Sequence, residues 1–494
     1  MRRARPPGLR ALRQVALALL SAALVVACGG RGIDESPGPV PPPGGVADCG
    51  QARLKAAVLD TARQWYLFPE LLPPSIDPAS FATVGQFLDA LTAQARAEGK
   101  DRFFSGTTSI ATENQLLQGQ TAGFGFTLLE RAAPAGVAVA QVFAGSAAAE
   151  AGFARGDQLL AIGPSVATLQ PIAEVLASAG GLDQAIGPST AGIARALRWR
   201  SLAGVERTAT LTKRSFDIDA VPEANLRVLA LADGTRVGHL TLRSFVSDTV
   251  GAGQTVNLAA LRNAFARFRS EGVRNLIVDL RYNGGGLVSI AELLLNLLAG
   301  DQAGQVSFET RYNAQQASRL EVTRLAAQPQ TVPTLRVAFV VSDRSASASE
   351  QVVNSMVPYA RTAIIGTRTF GKPVGQLAFD IAACDFRLRL VAFRTVNRNG
   401  DGDYYSGLPY PGFTRPGGVA CAAADDLTRQ PGDPQERMTA EALAWLGSPT
   451  GQCSSGAIAG GATEGLLPGT AALQAVLLPA AGREPLQYYL PGTF

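Results

Sequence analysis

Lys372 ends the stretch GTRTFGK (366–372), which has the glycine and lysine spacing of a phosphate-binding loop. Such a loop needs Ser or Thr next, because that hydroxyl ligates Mg²⁺. Here the next residue is Pro373, which has neither a hydroxyl nor an N–H. The residues leave two readings, an exposed lysine on a glycine-rich loop or the different chemistry of a general base. A lysine accepts a proton only when neutral, so its ordinary pKa of about 10.4 must be brought down by burial. Phe370, Val374 and Leu377 around it are apolar, and Gln376 offers a neutral amide that can orient the amine.

Two further stretches supply what a base would serve. In SDRSASASEQVVNSM (342–356) an apolar strand-like run gives way to Ser345, Ser347 and Ser349 at the start of a helical pattern. A hydroxyl there stands among unpaired helix N–H groups and the positive end of the helix dipole, which suits a nucleophile and its oxyanion. Ser347-x-x-Glu350 is also a capping box, an ordinary way to begin a helix. Helical spacing puts Ser345 and Ser349 on one face and Ser347 on another, without choosing among them. In LIVDLRYNGGGL (276–287) three consecutive glycines follow a buried-strand pattern and allow close approach and exposed N–H donors. They do not form a GxGxxG dinucleotide fingerprint. The only histidine, His239, lies in the strand-like VGHLTLRSF, so any histidine-based hydrolase would have to run through it.

Together, SASASE, GK with a glutamine four residues on, and the upstream DLRYNGGG resemble the tail-specific, or carboxy-terminal processing, protease family. The resemblance implies a Ser-Lys dyad, with Ser347 as nucleophile and Lys372 as base 25 residues later, and with Gln376 beside the lysine. It implies an oxyanion hole from the N–H of Ala348 and of a glycine in 284–286, assigned to Gly286. The family usually has glycine after the lysine, whereas this chain has Pro373. GFGF, residues Gly123, Phe124, Gly125 and Phe126, looks like the carboxylate-binding loop of a PDZ domain, and GSAAAEAGFARGDQLLAIG resembles the PDZ stretch after it. A PDZ domain adds a ligand's C-terminal strand to its sheet edge and holds the terminal carboxylate with loop N–H groups. The implied partners are proteins or peptides with apolar, unstructured C-termini, with no cofactor and no metal.

The patterning of the rest supports these placements. LKAAVLDTARQWYLF and FATVGQFLDALTAQARAEG have helical periodicity and define an N-terminal helical region, 50–106. Short β-prone runs and turns fill 107–215, the expected PDZ domain. Residues 216–450 alternate strand and helix with continuous apolar strands, as in a largely parallel sheet covered by helices. The expected fold class is therefore multidomain α/β: by the resemblance, a ClpP/crotonase-like protease core with a β-rich PDZ domain. Residues 451–494 are Gly/Ala-rich and read as a loosely ordered tail.

The chain is 47% apolar and 17% charged, as a packed globular protein is. Its net charge of +4 includes five arginines in residues 1–27 that no acid offsets; without them it is +4 − 5 = −1, which gives no electrostatic reason to expect nucleic acid. Residues 1–28 read as a secretion signal: a basic start, an apolar run too short to span a bilayer, then Ala27-Cys28. VVAC resembles a lipobox, which would make Cys28 the lipidated first residue; ordinary cleavage after an A-x-A-like site is the alternative. The Pro/Gly-rich 29–49 reads as a flexible tether. Gly29 and Gly30, with no Asp beside the cysteine, point to the outer membrane. The expected location is a bacterial periplasm, with membrane contact through a lipid anchor only. An exported chain suits disulfides among Cys49, Cys384, Cys421 and Cys453; Cys384–Cys421 is the favoured pair, because both flank one late segment. No CxxC suggests zinc. A catalytically inactive PDZ-containing lipoprotein shares every fold argument.

Overall fold

The computed structural model describes residues 49–132, 135–248, 256–413 and 418–458. The secretion signal, Cys28, nearly all of the tether and residues 459–494 lie outside them. Among the described residues no helix is long and apolar enough to cross a membrane.

A six-stranded sheet organises the second half of the chain. Its order is Arg227–Ala230, Arg236–Thr241, Asn275–Asp279, Arg336–Val341, Arg361–Gly366 and Val419–Ala422. The first strand is antiparallel and the rest are parallel. Asn275–Asp279 is buried along its whole length, as its unbroken apolar run predicts. Alternation sends Leu276 and Val278 to the face under helices Asn257–Ser270, Val288–Ala299 and Ala348–Met356. Ile277 goes to the opposite face, under Met438 and Trp445 of the helix Arg437–Gly447. The strands Arg336–Val341 and Asn275–Asp279 are neighbours, with Asp279 opposite Val340. The serine run and the glycine run that follow them therefore leave the sheet side by side.

The N-terminal helices are not a separate body. Gln51–Trp65 and Val84–Leu91 lay Leu54, Val58, Phe87 and Leu91 on a second sheet, built around Phe386–Asn397 and its hairpin partner Val374–Ile381. The second of these helices opens with a full capping box between Thr83 and Gln86. The strand Gly106–Thr108 joins this sheet and the helix Ile110–Leu117 docks beside it, although residues 107–117 fall in the stretch expected to be PDZ. Thr107 pairs with Leu388, and Glu113 is held by Arg387 and Arg389. The β-rich module proper follows, with strands Phe126–Ala132, Ala135–Val142, Gln158–Gly163, Ala194–Arg200 and Glu206–Thr212. It has its own core of Phe124, Phe153, Leu159, Leu197 and Trp199.

The disulfides are Cys49–Cys384 and Cys421–Cys453, not Cys384–Cys421. Cys384 sits in the turn of the hairpin on which the N-terminal helices pack, whereas Cys421 lies in the edge strand of the other sheet. Sequence proximity misled because the two flanking segments belong to different sheets. The second bridge, with Ala457 paired to Cys421, fixes residues 451–458 to the core. A non-reducing digest is expected to yield both linked peptides, and a Cys49→Ser, Cys384→Ser double variant to lose about 2–4 kcal/mol in urea unfolding. An unchanged midpoint would contradict the staple's role.

Candidate active site

The three serines have different fates. Ser345 Oγ donates to the Leu280 carbonyl at 2.7 Å and Ser349 Oγ to the Asn283 carbonyl at 2.8 Å, so both are committed to the end of the neighbouring strand. Ala346 N–H also bonds the Asn283 carbonyl. Ser347 is the N-cap of the helix and stands at φ 54°, ψ −116°. A positive φ at a non-glycine residue costs about 1–3 kcal/mol and persists only where surrounding contacts impose it. Here the bonds of Ser345, Ser349 and Glu350 on both sides of Ser347 impose it, and Ser347 closes a capping box with Glu350.

Glu350 is what binds this turn to the lysine loop. Its buried carboxylate accepts Ser347 N–H at 3.0 Å and Lys372 N–H at 2.8 Å on one oxygen. The other oxygen accepts Gly371 N–H at 2.7 Å and the Thr369 hydroxyl. Burial pushes its carboxyl pKa up, against four donors that all favour the ionised form. The amides that a phosphate-binding loop would offer to a nucleotide are thus already occupied by a carboxylate.

Lys372 is 3% exposed. Its Nζ donates to Gln376 Oε1 at 2.7 Å and lies 5.3 Å from the centre of the Phe104 ring. Burial pulls its pKa down to about 7 from the usual 10.5; Asp101, Glu350 and Glu113 oppose that fall and Arg389 adds to it. Pro373 does not disturb the arrangement. It precedes the strand Val374–Ile381, so no ladder N–H is lost, and its carbonyl accepts Thr395 N–H. A register shift between Gly375 and Gln376 carries the glutamine back toward the amine.

Of the three glycines, Gly285 gives its N–H to Asn283 Oδ1 at 2.9 Å, which removes it as an anion donor. Gly286 stands at φ 135°, and an added Cβ would run into the Phe245 carbonyl. Phe245 bonds Gly285 O and Leu287 N–H, which leaves the Gly286 N–H directed away from it. Ala348 is the first residue of the helix, where N–H groups lack helical acceptors.

One group was not anticipated from the sequence. Arg281, in the DLR run, is buried and bonds Asp279, Asp425 and Glu436 at 2.7–2.9 Å. It holds the strand end from which the glycines depart. Its partners Asp425 and Glu436 lie far along the chain; the local signal was the Asp279 and Arg281 charges at the end of an apolar run. Arg155 of the β-rich module shares Asp425 and also bonds Tyr282.

The remaining sites lie apart. In the GFGF loop, Phe124 is buried in the module's core, Gly125 stands at φ 86° where a Cβ would meet Ser146, and Phe126 begins a strand. His239 is fully buried with Nδ1 2.8 Å from the Asn225 carbonyl, and its Nε2 has no hydrogen-bond partner among the described residues. Cys421, Glu441 and Cys453 are close enough to suggest a metal, but the disulfide commits both sulfurs.

Residues 236–404 match Peptidase family S41. A "Probable CtpA-like serine protease" of Staphylococcus epidermidis is 30% identical over 140 residues, 28% of this chain and 26% of that protein. A "C-terminal processing peptidase, chloroplastic" of Tetradesmus obliquus is 30% identical over 190 residues, 36% of each chain. The chain thus spans about a quarter to a third of the length of these curated relatives. The solved structure of a "Putative S41 protease from Bacteroides fragilis NCTC 9343" superposes with a TM-score of 0.59 over 82% of this chain and 99% of that one, at 23% identity, a likeness of fold. Residues 236–404 are thus similar to an S41 peptidase core, and the curated proteins similar to that part of the chain are a CtpA-like protease and a C-terminal processing peptidase.

Glu350→Gln puts an NH₂ where an oxygen now accepts two donors. It is expected to destabilise the fold by about 2–4 kcal/mol in urea unfolding. An unchanged midpoint would show that the four bonds are not what joins the loops.

Proposed function

We propose that the protein is a serine endopeptidase that works through a Ser347–Lys372 dyad. The observation that carries this reading is a fully enclosed lysine amine with a pKa near 7, on a loop tied through one carboxylate to the N-cap serine. Neutral Lys372 takes the Ser347 Oγ proton as that oxygen attacks a peptide carbonyl. The N–H groups of Ala348 and Gly286 hold the tetrahedral oxyanion, each donor contributing about 3 kcal/mol. The ammonium of Lys372 then gives its proton to the leaving amine, which departs with the C-terminal fragment. A water, deprotonated by the amine, hydrolyses the remaining ester and restores the serine. Gln376 keeps the amine oriented throughout, by accepting one of its hydrogens.

The β-rich module is read as a PDZ domain that uses Gly123–Phe126 to receive the terminal carboxylate of an apolar, unstructured C-terminus. Residues 107–119 are the exception within its expected span. Export to a periplasm and lipidation at Cys28 complete the proposal, with the lipid as the only membrane contact.

The test follows cleavage of an unfolded protein ending in apolar residues, with and without an added polar tail. The parent is expected to cleave it, more slowly with the polar tail. Ser347→Ala and Lys372→Ala are expected to lose at least about 10³-fold in rate. The active form is the neutral amine, whose fraction rises with pH, so kcat/KM should rise through a limb near pH 7 and level off above it. Activity retained in Lys372→Ala would sink the dyad. Binding of the apolar tail without cleavage by any variant would leave a peptide-binding protein.

A further inference from the structure

We propose that Arg102 is a positioning residue for the catalytic base, and that the segment Asp101–Ser105 completes the pocket of Lys372. The inference rests on the reading of Lys372 as the base and adds what holds it there.

Asp101 is fully buried and folds this segment into a tight turn. One oxygen accepts the N–H groups of Phe104 and Ser105 at 2.8 and 3.0 Å; the other accepts the hydroxyls of Tyr66 and Ser105 at 2.9 and 2.7 Å. The turn forces Phe103 to φ 62°, an uncommon conformation for a bulky side chain, under the stacked guanidinium of Arg96 at 3.6 Å. A strained residue held by this many contacts suggests that its neighbours must be aimed.

Both neighbours point at the lysine loop. Arg102 donates one nitrogen to the carbonyls of Phe370 and Gly371, at 2.6 and 2.7 Å, and lies 4.6 Å over the Phe370 ring. The Phe104 carbonyl accepts the Gln376 amide N–H, which forces Oε1 toward the amine, and its ring forms a wall of the amine's pocket. Glu350 holds the same loop by its N–H groups at 371 and 372, so the loop is gripped from both sides of its peptide planes. Gly371, at φ 92°, is the residue around which it would swing if one grip were lost.

The charged groups that face the amine are Asp101 from the N-terminal segment, Glu113 from the helix Ile110–Leu117, Glu350 from the serine helix and Arg389 from the strand Phe386–Asn397. Arg102 acts differently. It keeps the loop closed and water away from the amine, so its removal should let the lysine relax toward an ordinary basicity.

The test uses the exported chain as wild type, Arg102→Ala, Arg102→Lys and Lys372→Ala. The readout is the rate at which a fluorophosphonate labels Ser347 across the pH range, with the folded fraction of each variant taken from urea unfolding. Arg102→Ala is expected to move the acid limb up by about one pH unit or more, and to slow labelling near neutrality about tenfold at equal folded fraction. Arg102→Lys keeps the charge but not the fork and should fall between; it carries the same readout if Arg102→Ala does not fold. An acid limb that stays in place, with labelling reduced only as far as the folded fraction, overturns the positioning role. Wild-type labelling that survives in Lys372→Ala overturns the base itself, and the clamp's role with it.

Discussion

A single buried carboxylate joins the two halves of the candidate site. Glu350 accepts hydrogen bonds from the backbone on both sides, Ser347 on the helix it caps and Gly371 and Lys372 on the facing loop. A carboxylate this deep is tolerated only with its oxygens saturated by donors, and four are present. The same constraint fixes the strained φ of Ser347 and the path of the lysine loop. Ser345 and Ser349 complete the lock by giving their hydroxyls to the strand end that carries the glycines. The geometry of the site is therefore set largely by bonds to the backbone on either side of it.

Burial is what lowers the Lys372 amine, and three distant parts of the chain enclose it. The hairpin Val374–Ile381 and Phe386–Asn397 brings Gln376 and Arg389, the serine helix brings Glu350, and the N-terminal region brings Asp101, Arg102 and Phe104. This explains why the N-terminal helices share a core with the hairpin rather than packing alone, and why Cys49 is stapled to its turn. On the opposite side, Arg281 anchors the strand end through three carboxylates, one of them shared with Arg155 of the β-rich module. Removing one partner of such a buried cluster leaves the others uncompensated, which makes it costly to alter.

The sequence was most legible where the determinants are local. SASASE, GK-x-x-x-Q and NGGG are short, and each sits at the strand end where its pattern put it. The parallel sheet followed from unbroken apolar runs such as Leu276–Val278. Ser347-x-x-Glu350 was readable both as a helix cap and as part of a reactive site, and Glu350 in fact caps the turn while tethering the lysine loop. What could not be read is what depends on long-range pairing. Arg102 and Phe104 have no local mark, since their partners lie more than 260 residues away. The cysteine pairs depended on which sheet each flanking strand joins, and residues 107–117 fall in the stretch read as β-rich yet supply a strand end and a helix to the hairpin's side of the molecule.

The central claim is that burial makes Lys372 a base near neutrality, and its titration can be watched directly. The chain has only four lysines, Lys55, Lys100, Lys213 and Lys372, so selective isotopic labelling gives four amine signals. Burial also lowers Lys213, to about 8, so the Lys372→Ala variant is needed to assign the remaining signal. The signal lost in that variant is expected to titrate near pH 7 in the folded parent. A midpoint at about 10, that of an ordinary exposed lysine, would contradict the account.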